Sequence, residues 1–347
     1  MTPFSLLIPT FNRAALLRRL LSYYTAAQFP HPIIVADSSV DDIRDENRDT
    51  ISRCAGLHIT HRTYESSTET FHKITDALRS IESDAIGLCA DDDFLCAEAP
   101  ARALRLLAQN PEYASVQGRS FIADSTRGSL TLSAFPQRGV YAKSATLRLR
   151  LYFHNPTANF YAIHRTRVLK TAFTRLARFR TDNSRFEELA VSTLGAIEGD
   201  VAVLNALHYV RQSSKNRADS GSRLTGGWKH ISESASFAKN REIFIQILAE
   251  ALVERGIDKE TAFECAAQCF DMYVQEKLDG NNVRDPRSMQ ERAIALMLLP
   301  AQGRMPAARR ILAFLMRSYP PLRSIYREYS PIAQLISQYP DGISTRV

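Results

Sequence analysis

The stretch Phe4-Ser-Leu-Leu-Ile-Pro-Thr-Phe-Asn-Arg13 decides the fold. Residues 4–8 form a short apolar run, as in a strand buried on both faces. It ends abruptly in polar residues. Asn12 stands where a helix cap belongs, and Leu16, Leu17, Leu20, Leu21 and Tyr24 then recur at helical spacing. A strand that breaks into a polar turn and runs on as an amphipathic helix is the opening of an α/β unit.

The unit recurs downstream. Residues 33–36 are a second apolar strand ending at Asp37, and residues 57–60 a third. Phe71, Ile74, Ala77, Leu78 and Ile81 trace a helix stripe. Residues 85–90 form a fourth strand, ending at Asp91. Strands alternating with helices predict a mostly parallel sheet with crossover helices. Beyond residue 114 the pattern changes. Strands are expected at 114–123 and 130–133 around a turn at 124–128, then at 159–163 and 206–211, with a helix over 184–197. Residues 213–227, rich in Ser, Gly, Arg and Asn, read as a loop, either a lid or an exposed connection. From Trp228 the chain reads as helical, broken near 280–282, 300 and 320–321.

Bulk properties narrow the class. The 347 residues are 45% hydrophobic and 23% charged, ordinary for a globular protein. No apolar run approaches the ~20 residues of a membrane span, and a cytoplasmic body is expected. The five cysteines, Cys54, Cys89, Cys96, Cys265 and Cys269, form no CxxC pair, which argues for reduced thiols. The net charge is +7, and from Arg292 onward eight arginines face only Glu328 and Asp341. Ile311, Leu312, Phe314, Leu315, Tyr319, Leu322 and Tyr326 lie among those arginines. Such a pattern suits peripheral contact with an anionic membrane at its inner face, or a helical cap packed on the sheet or on a second subunit of a homo-oligomer. The acidic motifs of the first half fit poorly with nucleic acid.

In open α/β sheets, ligands bind beyond the carboxyl ends of the strands. Three polar clusters fall at such ends: residues 9–13, residues 37–39 and Asp91-Asp92-Asp93. They are expected to converge on one crevice. Three adjacent carboxylates repel one another unless solvated or neutralised, and hard oxygen ligands suit Mg²⁺ or Mn²⁺. A solvated acidic turn is the simpler reading of the triplet. A turn aspartate bonding its own backbone is the simpler reading of Asp37, and a solvated helix lysine that of Lys73.

Taken together, Ser5 to Arg13, Ile33-Ile-Val-Ala-Asp-Ser-Ser39 and Leu88-Cys-Ala-Asp-Asp-Asp-Phe94 resemble the family 2 glycosyltransferases of the GT-A fold, over roughly residues 4–215. The opening stretch resembles that family's Ile-Pro-Thr-Tyr-Asn-Arg signature, and the triplet its DxD motif. The resemblance implies a GT-A-type Rossmann-like mixed, mostly parallel sheet over residues 1–227. That region would divide into a nucleotide-binding half (1–113) and an acceptor half (114–227), with a helical region at 228–347. It implies an inverting, metal-dependent enzyme that takes a nucleotide-sugar, with a UDP-sugar favoured, and a glycan or lipid-linked acceptor.

Residue roles follow from the same resemblance. Pro9, Thr10, Phe11 and Arg13 would line the nucleotide site. Asp37 would bond the base, and Lys73 would approach the base or diphosphate. Asp91 would contact the ribose or the metal shell, and Asp92 belongs to the same nucleotide-binding set. Asp93, with Asp91, would hold Mn²⁺ or Mg²⁺. Glu187-Glu188 resembles the acidic pair that supplies the catalytic base. Glu188, one position before core-facing Leu189, is favoured, with Glu187 the close alternative. Arg211 would clamp phosphate oxygens. Many relatives carry a His two positions after that Arg, where this chain has Ser213. His208 nearby reads as a packed or surface residue. Two rivals are a sugar nucleotidyltransferase and a non-catalytic nucleotide-sugar or glycan-binding protein. The first normally needs a glycine-rich loop after the first strand, and residues 9–13 contain no glycine.

Overall fold

The computed structural model describes residues 3–125, 130–135, 137–154, 156, 159–213, 227–279 and 320–342. The first half runs β1 (Phe4–Thr10), α1 (Ala14–Ala26), β2 (Ile33–Asp37), α2 (Asp41–Ser52), β3 (Ile59–Thr63), α3 (Thr70–Arg79) and β4 (Ala85–Leu88). Next come β5 (Phe94–Leu95), α4 (Ala99–Gln109), β6 (Tyr113–Asp124), β7 (Thr131–Phe135), α5 (Ala145–His154), β8 (Ile163–Arg165), α6 (Thr166–Arg178), α7 (Ser184–Glu198) and β9 (Asp200–Ser213). Helices α8 (Trp228–Ser232), α9 (Phe237–Val253), α10 (Lys259–Leu278) and α11 (Pro320–Gln338) complete the described chain.

The nine strands form one mixed sheet in the order β3-β2-β1-β4-β8-β6-β9-β5, with β7 beside β6. The pairings β3-β2, β2-β1, β1-β4 and β6-β9 are parallel. The pairings β4-β8, β8-β6, β6-β7 and β9-β5 are antiparallel. The α/β sheet flanked by helices is thus as expected, with its parallel character concentrated in the first half.

Each face carries its own core. In β1, Phe4, Leu6 and Ile8 face a layer holding Leu17, Leu20, Leu21 and Tyr24 of α1 together with α4 and α11. Leu7 faces the opposite layer, built from α3, α5, α6, α7, α9 and α10. The period-2 alternation of a strand divides the two layers. Helix α11 turns Ile325, Tyr329, Ile332, Ala333 and Ile336 inward, while Arg323 and Arg327 are exposed. Burying one such large apolar side chain contributes roughly 1.5–3 kcal/mol, so this helix is a cap on the sheet. The Arg102–Glu328 ion pair, 2.5 Å apart, adds to that docking. Residues 280–319, with most of the basic and apolar pattern noted above, lie outside the described residues, as do 126–129 of the expected turn and 214–226 of the expected loop. Among the described residues no helix is long and apolar enough to cross a membrane. All five cysteines are free thiols, and only Cys54 is not fully buried.

Several local expectations are corrected. Asn12 does not cap α1. It adopts φ 52° and its side chain accepts a hydrogen bond from the Val40 amide, so the helix starts at Ala14 without a side-chain cap. The strand expected at 159–163 is a 3₁₀ turn, Asn159–Tyr161, followed by β8. Asn159 bends the chain by donating its side-chain amide to the Ser192 carbonyl, and its own carbonyl accepts from the Ala162 amide. The third strand begins at Ile59, because a turn closed by the Leu57 amide on the Cys54 carbonyl precedes it. The last strand is longer than expected, running from Asp200 to Ser213.

Candidate active site

In-register parallel pairing aligns the ends of the first strands. Thr10 of β1 lies opposite Asp37 of β2, and Leu7 pairs with Leu88 of β4. Residues 9–13, 37–39 and 91–93 therefore emerge along the same edge, as the three clusters require. Side chains then join them. The Thr10 hydroxyl donates to Asp91 Oδ2 at 2.7 Å. Arg13 bridges two carboxylates, with Nη2 2.5 Å from Asp91 Oδ1 and Nη1 2.9 Å from Asp92 Oδ2. Burial opposes the charge on Arg13, but Asp91 and Asp92 outweigh it and hold the guanidinium firmly protonated. Lys73 is buried. Its Nζ donates to the Thr10 carbonyl at 2.5 Å and to the Ser38 hydroxyl at 2.9 Å. Burial lowers its pKa to about 8, against the pull of Asp91 and Asp37. The solvated-lysine reading of this residue is excluded.

Asp37 has no exposed surface. Oδ1 accepts the Ser39 amide at 2.8 Å, and Oδ2 accepts the Asn47 side chain at 2.8 Å and faces His61 Nε2 at 3.0 Å. Burial alone would raise its pKa, but the bonds to His61, Ser39 and Asn47 prevail and bring it to about 2. The carboxylate thus braces the turn after β2 from within. Ser39 in turn accepts the Asn12 amide at 2.9 Å, which fixes the turn after β1. Pro9 and Phe11 are half-buried at the rim of that turn.

Asp93 is positioned from the other half of the sheet. The short strand β5 pairs with β9 so that Phe94 faces Val210. This brings Asp93 against the end of β9. Its Oδ1 accepts the Gln212 amide at 2.8 Å and its Oδ2 the Tyr209 hydroxyl at 2.9 Å. Burial and the neighbouring Asp92 push its pKa up to about 7, despite Arg211, Gln212 and Tyr209. Asp91, fully buried, is also shifted upward, by burial first, against the counter-pull of Arg13. Burial works against the charge of half-buried Arg211 too, but Asp93, Tyr161, Tyr209 and Glu188 outweigh it and raise its pKa.

The acidic pair sits on the first turn of α7. Asn183 caps that helix by accepting the Arg185 amide. Phe186 is fully buried among Trp228, Phe237, Phe244 and Phe270, contributed by α8, α9 and α10. With Phe186 and Leu189 held inward, Glu187 is left half-buried and Glu188 exposed at the rim. Burial, opposed by Arg180, raises Glu187 to about 7. The charges of Asp93 and Glu188 both act on Arg211 and Tyr161. Tyr161 stacks on Tyr209 with ring centroids 4.6 Å apart and planes 15° apart. His208 is a packed residue, its Nε2 2.8 Å from the Tyr161 carbonyl.

Among the described residues, no group of three or more His, Cys, Asp or Glu side chains could hold a metal ion by itself. What the site offers is two buried carboxylates shifted upward, Asp91 and Asp93, of which Asp91 is paired with Arg13, beside partly buried Asp92. That donor set fits a hard cation completed by phosphate oxygens and water, rather than a closed protein cage. Tyr161, Tyr209, Asn47, His61, Gln212 and Arg19 were not singled out in the sequence as parts of the site. Their signal was only positional: each lies on an element whose end or face reaches the strand-end crevice.

An α/β sheet with acidic and basic side chains gathered at its carboxyl edge has its candidate site where ligands bind in open sheets of this kind. No protein-family model matches the chain, and no curated protein matches it. Solved structures do. Residues 1–349 of S. aureus TarS, in complex with UDP-GlcNAc, are similar with a TM-score of 0.55 at 12% identity, covering 100% of this chain and 93% of that one. A mannosyltransferase, PcManGT from Pyrobaculum calidifontis, in complex with GDP-Man and Mn²⁺, has a TM-score of 0.44 at 16% identity, covering 98% and 88%. The first likeness establishes a shared fold over nearly the whole length. The second is too distant to carry an argument.

Proposed function

We propose that this chain is an inverting glycosyltransferase, moving a sugar from a nucleotide-sugar onto an acceptor hydroxyl. The observation that carries the reading is the convergence at one strand edge of Asp91–Asp93 and Arg13 with the end of β9 that bears Arg211. The TarS fold neighbour was solved with UDP-GlcNAc, which supports a nucleoside-diphosphate donor and favours uridine.

In this reading the base lies over Phe11 and the turns after β1 and β2, whose shape Asp37, Asn47 and Lys73 maintain. Asp93 would hold Mn²⁺ or Mg²⁺, while Asp91 remains engaged by Thr10 and Arg13. Bound there, the cation would supply charge neutralisation for the departing diphosphate. Arg211 and Arg13 add fixed positive charge at the same edge, which is worth most where water is excluded. Glu188 takes the proton from the acceptor hydroxyl as that oxygen attacks the anomeric carbon. Base and leaving group on opposite sides of the sugar give inversion. Glu188 is the preferred base because it is the exposed member of the pair and its charge is felt by Arg211 and Tyr161, as that of Asp93 is; Glu187, raised to about 7, is the alternative. The acceptor is a glycan or a lipid-linked hydroxyl.

The test is direct. The protein is incubated with a panel of nucleotide-sugars and Mn²⁺, and release of nucleoside diphosphate is followed with and without acceptor glycans. Slow release that chelation abolishes is expected. Thermal-shift binding without release under any condition would establish a binding module instead.

A further inference from the structure

The end of the described chain returns to the Asp triplet. Past α11, the Tyr339 and Pro340 carbonyls accept hydrogen bonds from Arg19 Nη1 at 3.0 and 3.4 Å. Arg19 is completely buried, and its Nη2 donates to the Asp92 carbonyl at 3.0 Å. Its guanidinium also lies over the Phe94 ring, 5.0 Å from the centroid. Gln212 makes a second link. Its side-chain amide donates to the Pro340 carbonyl at 2.7 Å, while its backbone amide holds Asp93. Gly342 seats the segment on α1. It adopts φ +93°, and a Cβ there would lie 2.3 Å from the Ala15 carbonyl carbon. Only glycine combines that backbone angle with so close an approach.

We propose that the tail segment Tyr339 to Gly342 is a strap that positions the Asp91–Asp93 turn, with Arg19 and Gln212 as its positioning residues. A buried arginine between two backbone segments, with one fork on the turn and one on the tail, fixes their separation as a planar multi-donor group can. A general packing role would not require polar contacts to both sides of the triplet. The strap holds the backbone of Asp92 through Arg19 and the carboxylate of Asp93 through Gln212. Its value for catalysis rests on the function proposed above, because the turn is the diphosphate site only in that reading.

The experiment compares amide hydrogen exchange in the full-length protein with three variants: Gly342→Val, Gln212→Leu and a deletion of residues 339–347. Gln212→Leu keeps the backbone amide on Asp93 and removes the side-chain link to Pro340, together with a longer contact of 3.5 Å to the Ser125 hydroxyl. It also serves if the glycine variant fails to fold. Peptides covering 91–95 and 209–213 are expected to exchange about tenfold faster or more, while β2 and β3 keep their wild-type protection. Uniform acceleration across the sheet, or unchanged exchange at both segments, would overturn the strap. UDP affinity in Mn²⁺ is measured on the same samples and on a fourth variant, Arg19→Lys; a loss of about tenfold is expected in the first three and a smaller loss in Arg19→Lys. Local loosening in a protein whose wild type binds no nucleoside diphosphate would leave the strap standing and remove the glycosyltransferase reading.

Discussion

The end of β2 and the end of β4 each bury an aspartate, and the two have opposite electrostatics. Asp37 is saturated by Ser39, Asn47 and His61, and its pKa sits near 2. Asp93 accepts two hydrogen bonds, yet burial and Asp92 leave it near 7. One carboxylate stabilises the fold by being charged. The other is costly to keep charged until something positive joins it. Strongly perturbed groups in a cleft are functional candidates, and here the direction of the shift separates a carboxylate that braces the fold from one left to be neutralised. The sequence singled out the Asp triplet as the sharper motif, but it could not show that the two aspartates differ in sign of shift.

The comparison is broken or sharpened most strongly at Asp93. Asp93→Asn is expected to lower donor turnover in Mn²⁺ by about 10²–10³-fold, without lowering the thermal midpoint of the ligand-free protein. Asp37→Asn should act the other way round, costing about 2 kcal/mol of stability, read from chemical denaturation. A loss of turnover at Asp37 with full stability would erase the distinction.

Glu188→Gln comes next, with turnover down by about 10²-fold and donor affinity retained. Glu187→Gln is expected to cost less than tenfold, and the reverse order would move the base by one residue.

The smallest effect is in pH. Because the Asp93 pKa is raised in the folded state, its contribution to stability is present below about pH 4 and is lost as pH rises through 7. Asp37, depressed to about 2, contributes above about pH 4 and loses that contribution as pH falls through 2. The stability gap between Asp93→Asn and wild type should therefore widen from pH 5 to pH 8, and Mn²⁺ with UDP should close it. A gap that stays constant with pH would show that Asp93 carries no raised pKa.

The first half of the fold was legible because each β-α unit announces itself by apolar runs and helical stripes. The turn residues at strand ends were legible for the same reason. Helix α2 was not, since it buries only Asn47 and Thr50 and shows no apolar stripe. Asn12 misled because a short polar side chain serves a turn as readily as a helix end. The placement of Asp93 beside Tyr209 and Gln212 depends on a two-residue strand, β5, too short to carry any periodicity. Arg19 lies outside the apolar stripe read for α1, and nothing in the sequence marked it. Its burial follows from contacts more than 300 residues away in sequence, which no local pattern encodes.

The ring cluster around Phe186 carries a practical lesson about where this protein can be cut. Four of its partners come from beyond residue 227. A fragment stopped at 227 would expose Phe186 to water and release the helix turn bearing Glu187 and Glu188. Changes confined to that distal portion would therefore shift the acidic pair at a distance, with no substitution in the pair itself.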